Sequence, residues 1–211
     1  MEKYIADRLV TVTVDMQNDF MPGGSLPVTE GDAIIPLINE LTAYTREQGG
    51  IVVETGDQHP AITPHFGPDA WPVHCVAGTD GAALRSDLFI GRDDIQIDKG
   101  MGQTDGYSGF EGISIEGDTL EALVKPSGRE RVAVLMAGVA TEYCVKNTAL
   151  DALKVQQGDG TIKVFIARDA VRGVNVHPDD SQKALDEMEQ AGAILIDSID
   201  VLTHTAFEIA R

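Results

Sequence analysis

Short apolar runs alternate along this chain with longer stretches of helical period, and that alternation leaves few architectures open. Residues 9–14 read as a strand in which Val10, Val12 and Val14 alternate with Thr11 and Thr13. Residues 33–48 read as a helix: Ile34, Leu37, Ile38 and Leu41 share one face, Pro36 sits in the first turn, and Gly49-Gly50 ends it. Further strands are expected at residues 51–55, 95–97, 132–137, 162–167 and 193–196. Further helices are expected at 142–157 and at 181–191, the second with Leu185 and Met188 inward and closed by Gly192. Asp118-Thr119-Leu120-Glu121 resembles a capping box and opens a short helix that stops before Pro126. Strands that take turns with helices build a parallel sheet covered on both faces. A run such as Val132-Ala133-Val134-Leu135-Met136 suits a strand buried on two sides. The expected fold is α/β, a three-layer doubly wound sandwich around a mostly parallel sheet of about six strands. The chain has 211 residues with no repeat, low-complexity tract or linker, so residues 1–211 are expected to form one domain.

Sheets of this kind hold ligands beyond the carboxyl ends of their strands. That rule singles out four places. Asp15 follows the first strand, Asp57 and His59 follow the second, and Lys99 follows the third. Cys144 lies just past the fourth, with Thr141 expected as N-cap of the next helix. A cysteine in a first helical turn meets unsatisfied N–H groups and the positive end of the dipole. Its pKa should then fall below the free value of about 8.5. The same N–H groups can hold an oxyanion. Read alone, Cys144 is equally a buried, inert thiol. Asp15 is either an acid–base partner for that thiol or a turn residue closing its strand. Lys99 either stabilises negative charge or is a solvated surface lysine.

Three of the five histidines, His59, His65 and His74, fall in the stretch 59–74. With Asp57 they make a nitrogen and oxygen donor set that suits Zn²⁺, Fe²⁺ or Mn²⁺. The alternative is a polar loop with scattered histidines. Cys75, next to His74, is either a thiolate ligand or, the better reading, packed in the core, and His177 and His204 read as structural. The glycine-rich stretch 100–106 lacks both the G-x-G-x-x-G spacing and a Walker Lys-Ser/Thr, and reads as a surface loop. Trp71, the single tryptophan, either walls a pocket or fills the core.

Composition narrows the partners. Sixteen Lys and Arg against 34 Asp and Glu leave a net charge of −18, which repels phosphate backbones and argues against nucleic acid. Two cysteines are too few for a disulfide framework and read as thiols in a reducing cytoplasm. Met1-Glu2-Lys3-Tyr4 has no apolar signal core, and no run reaches the ~18 apolar residues of a membrane span.

Together these residues resemble the nicotinamidase (pyrazinamidase) branch of the isochorismatase-like cysteine hydrolases, from residue 10 to about residue 169. Val14-Asp15-Met16-Gln17-Asn18-Asp19-Phe20, with Pro22-Gly23-Gly24-Ser25-Leu26, is similar to the family's first-strand signature. Thr55-Gly56-Asp57-Gln58-His59-Pro60 and Trp71-Pro72-Val73-His74-Cys75 resemble its two metal motifs. Lys99-Gly100 with Tyr107-Ser108-Gly109-Phe110 resembles its lysine and following loop, and Gly138-Val139-Ala140-Thr141-Glu142-Tyr143-Cys144-Val145 its nucleophile motif. The resemblance implies a Cys144 nucleophile completed by Asp15 and Lys99. It implies a cis peptide at Val139-Ala140 and an oxyanion hole from the N–H groups of Ala140 and Cys144. It implies one divalent metal ion, Zn²⁺ first, on Asp57, His59 and His74, with His65 where some members have a fourth ligand. Phe20, Leu26, Trp71 and Tyr107 match positions that wall the pyridine ring. The activity so implied is hydrolysis of nicotinamide, and of pyrazinamide, to the acid and ammonia in NAD salvage. Relatives also form homo-oligomers. Gln58 and Glu142 depart from the residues common at their positions and leave room for a shifted substrate preference.

Three rivals remain. A related cysteine hydrolase acting on another amide, carbamoyl or ureido group would share Asp15, Lys99 and Cys144, but many such relatives lack the metal cluster. The isochorismatase type cleaves a vinyl ether without a cysteine nucleophile. A non-catalytic binding module on the same fold would have no need of all three groups.

Overall fold

The computed structural model describes residues 3–68, 70–102, 104–155 and 158–210. Strands β1 (Tyr4–Ala6), β2 (Arg8–Val14), β3 (Ile51–Asp57), β4 (Ile95–Lys99), β5 (Arg131–Val139), β6 (Thr161–Arg172), β7 (Ile194–Ile196) and β8 (Phe207–Ile209) alternate with α1 (Ile35–Glu47), α2 (Leu120–Val124), α3 (Lys146–Lys154), α4 (Asp180–Ala191) and α5 (Ser198–Leu202). Six of the strands form one sheet in the order β4-β3-β2-β5-β6-β7, and every neighbouring pair is parallel. The sheet class and strand number expected from the alternation are those observed.

The alternation of residues along each strand explains the layers. Val10, Val12 and Val14 of β2 share one face with Val132, Val134 and Met136 of β5, and meet Ala149 and Ala152 of α3 and Met188 of α4. Leu9, Leu135 and Phe165 point the other way and pack on Ile35, Ile38 and Leu41 of α1 and Val201 of α5. Both sets are buried, so the strands carry apolar side chains on two sides, as parallel strands under helices must.

Strand order fixes the place of the site. The chain winds outward from β2 through β3 to β4, then returns to add β5 on the other flank of β2. The direction of winding therefore reverses between β2 and β5, and a crevice opens beyond the carboxyl ends of those two strands. Close approach there requires Gly138, at φ +119°; a Cβ on it would lie 2.2 Å from the Val14 carbonyl oxygen.

Several local expectations needed correction. The short helix α2 is capped by Thr119, whose side chain accepts from the Ala122 N–H, and not by Asp118. Asp118 instead receives Ser114 Oγ–H through its carboxylate. The expected 142–157 helix begins as a π-helical turn at Thr141–Val145 and ends at Lys154, while Gln156 and Gln157 lie outside the described residues. Ala140, not Thr141, is its N-cap residue, and Thr141 is buried within the first turn. The strand expected at 193–196 is not the last element: α5 follows, and β8 pairs in parallel with β1 as a separate two-stranded sheet.

Candidate active site

Three strand ends deliver three reactive groups to the crevice. Asp15 follows β2 directly and takes a left-handed backbone conformation, φ +53°. A non-glycine residue there is uncommon and fits a position fixed by function. Lys99 is the last residue of β4 and wholly buried, not the surface lysine its type suggests. Cys144 sits in the π-helical turn after β5, 6% exposed. The Lys99 ammonium lies 2.8 Å from Asp15 Oδ2 and 2.6 Å from Asp57 Oδ1. It also donates to the Gly106 carbonyl at 3.2 Å and to Cys144 Sγ at 3.4 Å. One carboxylate oxygen each from Asp15 and Asp57 lies within 4.8 Å of Cys144 Sγ and of the other.

This arrangement corrects the expected direction of the thiol's acidity. Burial pushes the Cys144 thiol well up, and the Asp15 carboxylate adds to that; Lys99 pulls the other way without prevailing. The helix-start argument counts the N–H groups but not the dry surroundings or the two carboxylates. Asp15 is also pushed up, by burial and then by Asp57, against the attraction of Lys99. Asp57 resists burial because Lys99 and His59 hold its anion, which brings it down to about 2. Lys99 stays charged: burial works against it, but Asp15 and Asp57 raise it well above the usual lysine range. The corner therefore contains a fixed ammonium–carboxylate pair, Lys99 and Asp57. Beside it stand a thiol and a carboxyl, Cys144 and Asp15, whose proton affinities are both raised.

The imidazoles form a second corner against the first. One ring nitrogen each of His59, His65 and His74 lies within 4.8 Å of the others, and all three residues are buried. Their Nδ1 atoms are engaged outward: His59 to the Gly100 carbonyl at 2.9 Å, His74 to the Pro72 carbonyl at 2.7 Å, and His65 to Asp105 Oδ1 at 2.8 Å. Each acceptor is an oxygen, so each Nδ1–H donates, and Nε2 is the ring nitrogen these bonds leave available. His59 Nε2 has no hydrogen-bond partner among the described residues and faces Asp57 Oδ2 across 3.6 Å. Burial lowers the pKa of His74, which favours the neutral ring that a metal needs. Three buried imidazoles with converging nitrogens, one of them unpartnered among the described residues, beside a carboxylate fit a divalent metal ion. His65 is as much a part of that set as His59 and His74, while Asp57 divides itself between Lys99 and His59.

A cavity opens over both corners. Its lining includes the sequence-expected Phe20, Leu26, Trp71, Tyr107, Ala140 and Cys144, and also Tyr143, Val174 and Asp105. Trp71 Nε1–H donates to the Tyr107 hydroxyl at 2.9 Å, so Trp71 walls this pocket and does not fill the core. The Val139-Ala140 peptide is cis, as the resemblance implied.

Sequence reasoning missed several supports. Thr55 Oγ1–H donates to Asp15 Oδ1 at 2.7 Å. The Gln17 side chain pairs with both backbone groups of Asp57, at 2.8 Å each, and pins the end of β3. Phe66 packs against all three imidazoles. The glycine-rich stretch 100–106 is more than a surface loop, since Gly100 and Asp105 reach His59 and His65 and Gly106 reaches Lys99; Gln103 within it lies outside the described residues. Cys75 is buried with its thiol pushed far up, and His204 bonds the Tyr44 hydroxyl, so both are structural as expected.

The isochorismatase domain model matches residues 10–200. The chain belongs to the isochorismatase family. Within it, this member is 38% identical to the nicotinamidase/pyrazinamidase of Mycobacterium tuberculosis, over 88% of this chain and 96% of that one. It is 40% identical to the pyrazinamidase of Pyrococcus horikoshii, whose crystal structure is a complex with zinc, with a TM-score of 0.75 over 90% of this chain and 99% of the other. PnC1 from L. infantum, solved in complex with nicotinate, aligns at TM-score 0.76 and 29% identity over 99% and 98% of the two chains. Among the described residues no helix is long and apolar enough to cross a membrane.

Proposed function

We propose that this isochorismatase-family chain hydrolyses nicotinamide, and pyrazinamide with it, to the ring carboxylate and ammonia. Cys144 is the nucleophile, and a divalent ion, zinc first, is held by His59, His65, His74 and Asp57. One observation carries the reading: the thiol, carboxyl and ammonium of Cys144, Asp15 and Lys99 meet beside three convergent imidazoles, under a single aromatic-lined cavity. The names of the relatives support the same substrate class.

The steps follow from the proton affinities. Cys144 Sγ attacks the carboxamide carbon as its proton passes to Asp15, whose raised affinity makes it a fitting base. Asp15 Oδ2 lies near Lys99 but has no aligned hydrogen bond, which leaves it open to that proton. The carbonyl oxygen takes the displaced electron pair and rests on the N–H groups of Ala140 and Cys144; one such donor is typically worth ~10²–10³ in rate. Protonated Asp15 then gives its proton to the amine, the C–N bond breaks, ammonia leaves and a thioester remains. Water attacks the thioester while Asp15 takes one of its protons; the C–S bond then breaks, Asp15 returns that proton to the departing sulfur, and the carboxylic acid releases its own proton to solvent. Lys99 remains charged throughout and offsets the negative charge that moves between Asp15 and Cys144. Phe20, Leu26, Trp71 and Tyr107 wall the heteroaromatic ring. The ion, when bound, supplies a Lewis-acidic anchor for the ring nitrogen. The unpaired thiols Cys75 and Cys144 suit a reducing cytoplasm, where we place the reaction in NAD salvage.

The test is product analysis with purified, zinc-supplied protein. Nicotinate and ammonia in equal amounts are expected. Nicotinamide left intact, with turnover of a ureido or carbamoyl compound instead, would overturn the substrate.

A further inference from the structure

The three imidazoles are not supported alike. His59 and His74 each place Nδ1 on a backbone carbonyl, of Gly100 and Pro72. His65 alone relies on a side chain, the Asp105 carboxylate, at 2.8 Å. We propose that Asp105 is a positioning residue for the metal site, which fixes the His65 tautomer and aims Nε2 at the point where His59 and His74 converge. The proposal rests on the metal reading given above and adds a determinant that no ligand motif contains.

Loop geometry explains how a residue 59% exposed can hold a buried ring in place. Gly100 and Gly106 both have positive φ, +69° and +67°, and a Cβ on Gly106 would lie 2.5 Å from Gly100 Cα, so these two residues meet closely. One end gives the Gly100 carbonyl to His59, the other gives the Gly106 carbonyl to Lys99, and Asp105 precedes that second anchor. Asp105 thus sits one residue from a fixed anchor, with its carboxylate on His65. The partner of a metal-bound imidazole sets its orientation and raises its basicity, and losing such a partner typically costs about 10–100-fold in affinity. Because Asp105 is mostly solvated, its removal leaves the core untouched.

The experiment titrates Co²⁺ into metal-free protein and follows the visible ligand-field bands, for the parent, Asp105→Ala and Asp105→Asn. Asp105→Ala should bind about 10–100-fold more weakly and show shifted bands at saturation, with thermal unfolding of the metal-free form unchanged. Asp105→Asn keeps an acceptor oxygen and should recover most of the affinity. Equal affinity and identical bands for Asp105→Ala and the parent would overturn the proposal and leave the metal reading standing. A parent protein that takes up no cobalt overturns both.

Discussion

The two corners of the crevice are built by opposite means. Asp15, Lys99 and Asp57 stand at the ends of β2, β4 and β3, locked in the sheet and tied to one another by charge. The imidazoles come from the connection after β3, and their outer nitrogens are held by loop carbonyls and by Asp105. A proton transfer between thiol and carboxyl tolerates little displacement, and strand ends supply that rigidity. A metal anchor needs convergent lone pairs, which loops provide once each ring is tethered from behind. Asp57 joins the two corners, with one oxygen on Lys99 and the other facing His59.

Substitutions can separate the corners. The largest effect is expected from Cys144→Ala, which should reduce ammonia release to background while metal content, read by elemental analysis, stays at the parent level. Loss of metal together with turnover would show that the corners are not independent. His59→Ala is the converse. It should empty the metal site and raise KM for nicotinamide far more than it lowers the alkylation rate of Cys144; full metal occupancy would contradict the ligand assignment. Lys99→Met attacks the charge balance. It leaves Asp15 and Asp57 facing each other, buried and without their cation, and should cost on the order of 3–5 kcal/mol in urea unfolding. A parent-like unfolding curve would mean that the carboxylates find other partners.

Glu54 sharpens the comparison as a buried carboxyl without a lysine. It lies on the same strand as Asp57, 1% exposed, and neither of its oxygens has a hydrogen-bond partner among the described residues. Burial, with Asp94 adding and Arg46 opposing, raises it to about 8, while Asp57 is brought down to about 2. Glu54 binds its proton more tightly folded than unfolded, so its contribution to stability is complete below about pH 4.5 and is lost as pH rises through about 8. Glu54→Gln should flatten this decline between those limits in thermal scans at stepped pH. An unchanged slope would locate the pH dependence elsewhere.

Much of this was legible in the residue order. Valine-rich strands announced a doubly buried sheet, and the rule of strand ends selected Asp15, Asp57, Lys99 and Cys144 before any coordinates. Less could be read where distant segments decide. The strands β1 and β8 have three residues each and hydrogen-bond as strands only to each other, so no period marks them. Thr141 looked like a cap because of its hydroxyl, but a π-helical turn buries it and leaves Ala140 at the start. The thiol's acidity depends on carboxylates that are remote in sequence, and Asp105 acquires its role only when its loop folds back onto His65. The resemblance gives His65 only the place where some members have a fourth ligand, yet the structure sets it level with His59 and His74.

The central claim is that the thiol corner and the imidazole corner serve one reaction. Ammonia release from nicotinamide, measured in a single preparation before chelation, after chelation and after Zn²⁺ is restored, tests it most directly. The account predicts release, loss and recovery, with Cys144 alkylated at the same rate in all three states. Undiminished release from the metal-free protein would contradict it.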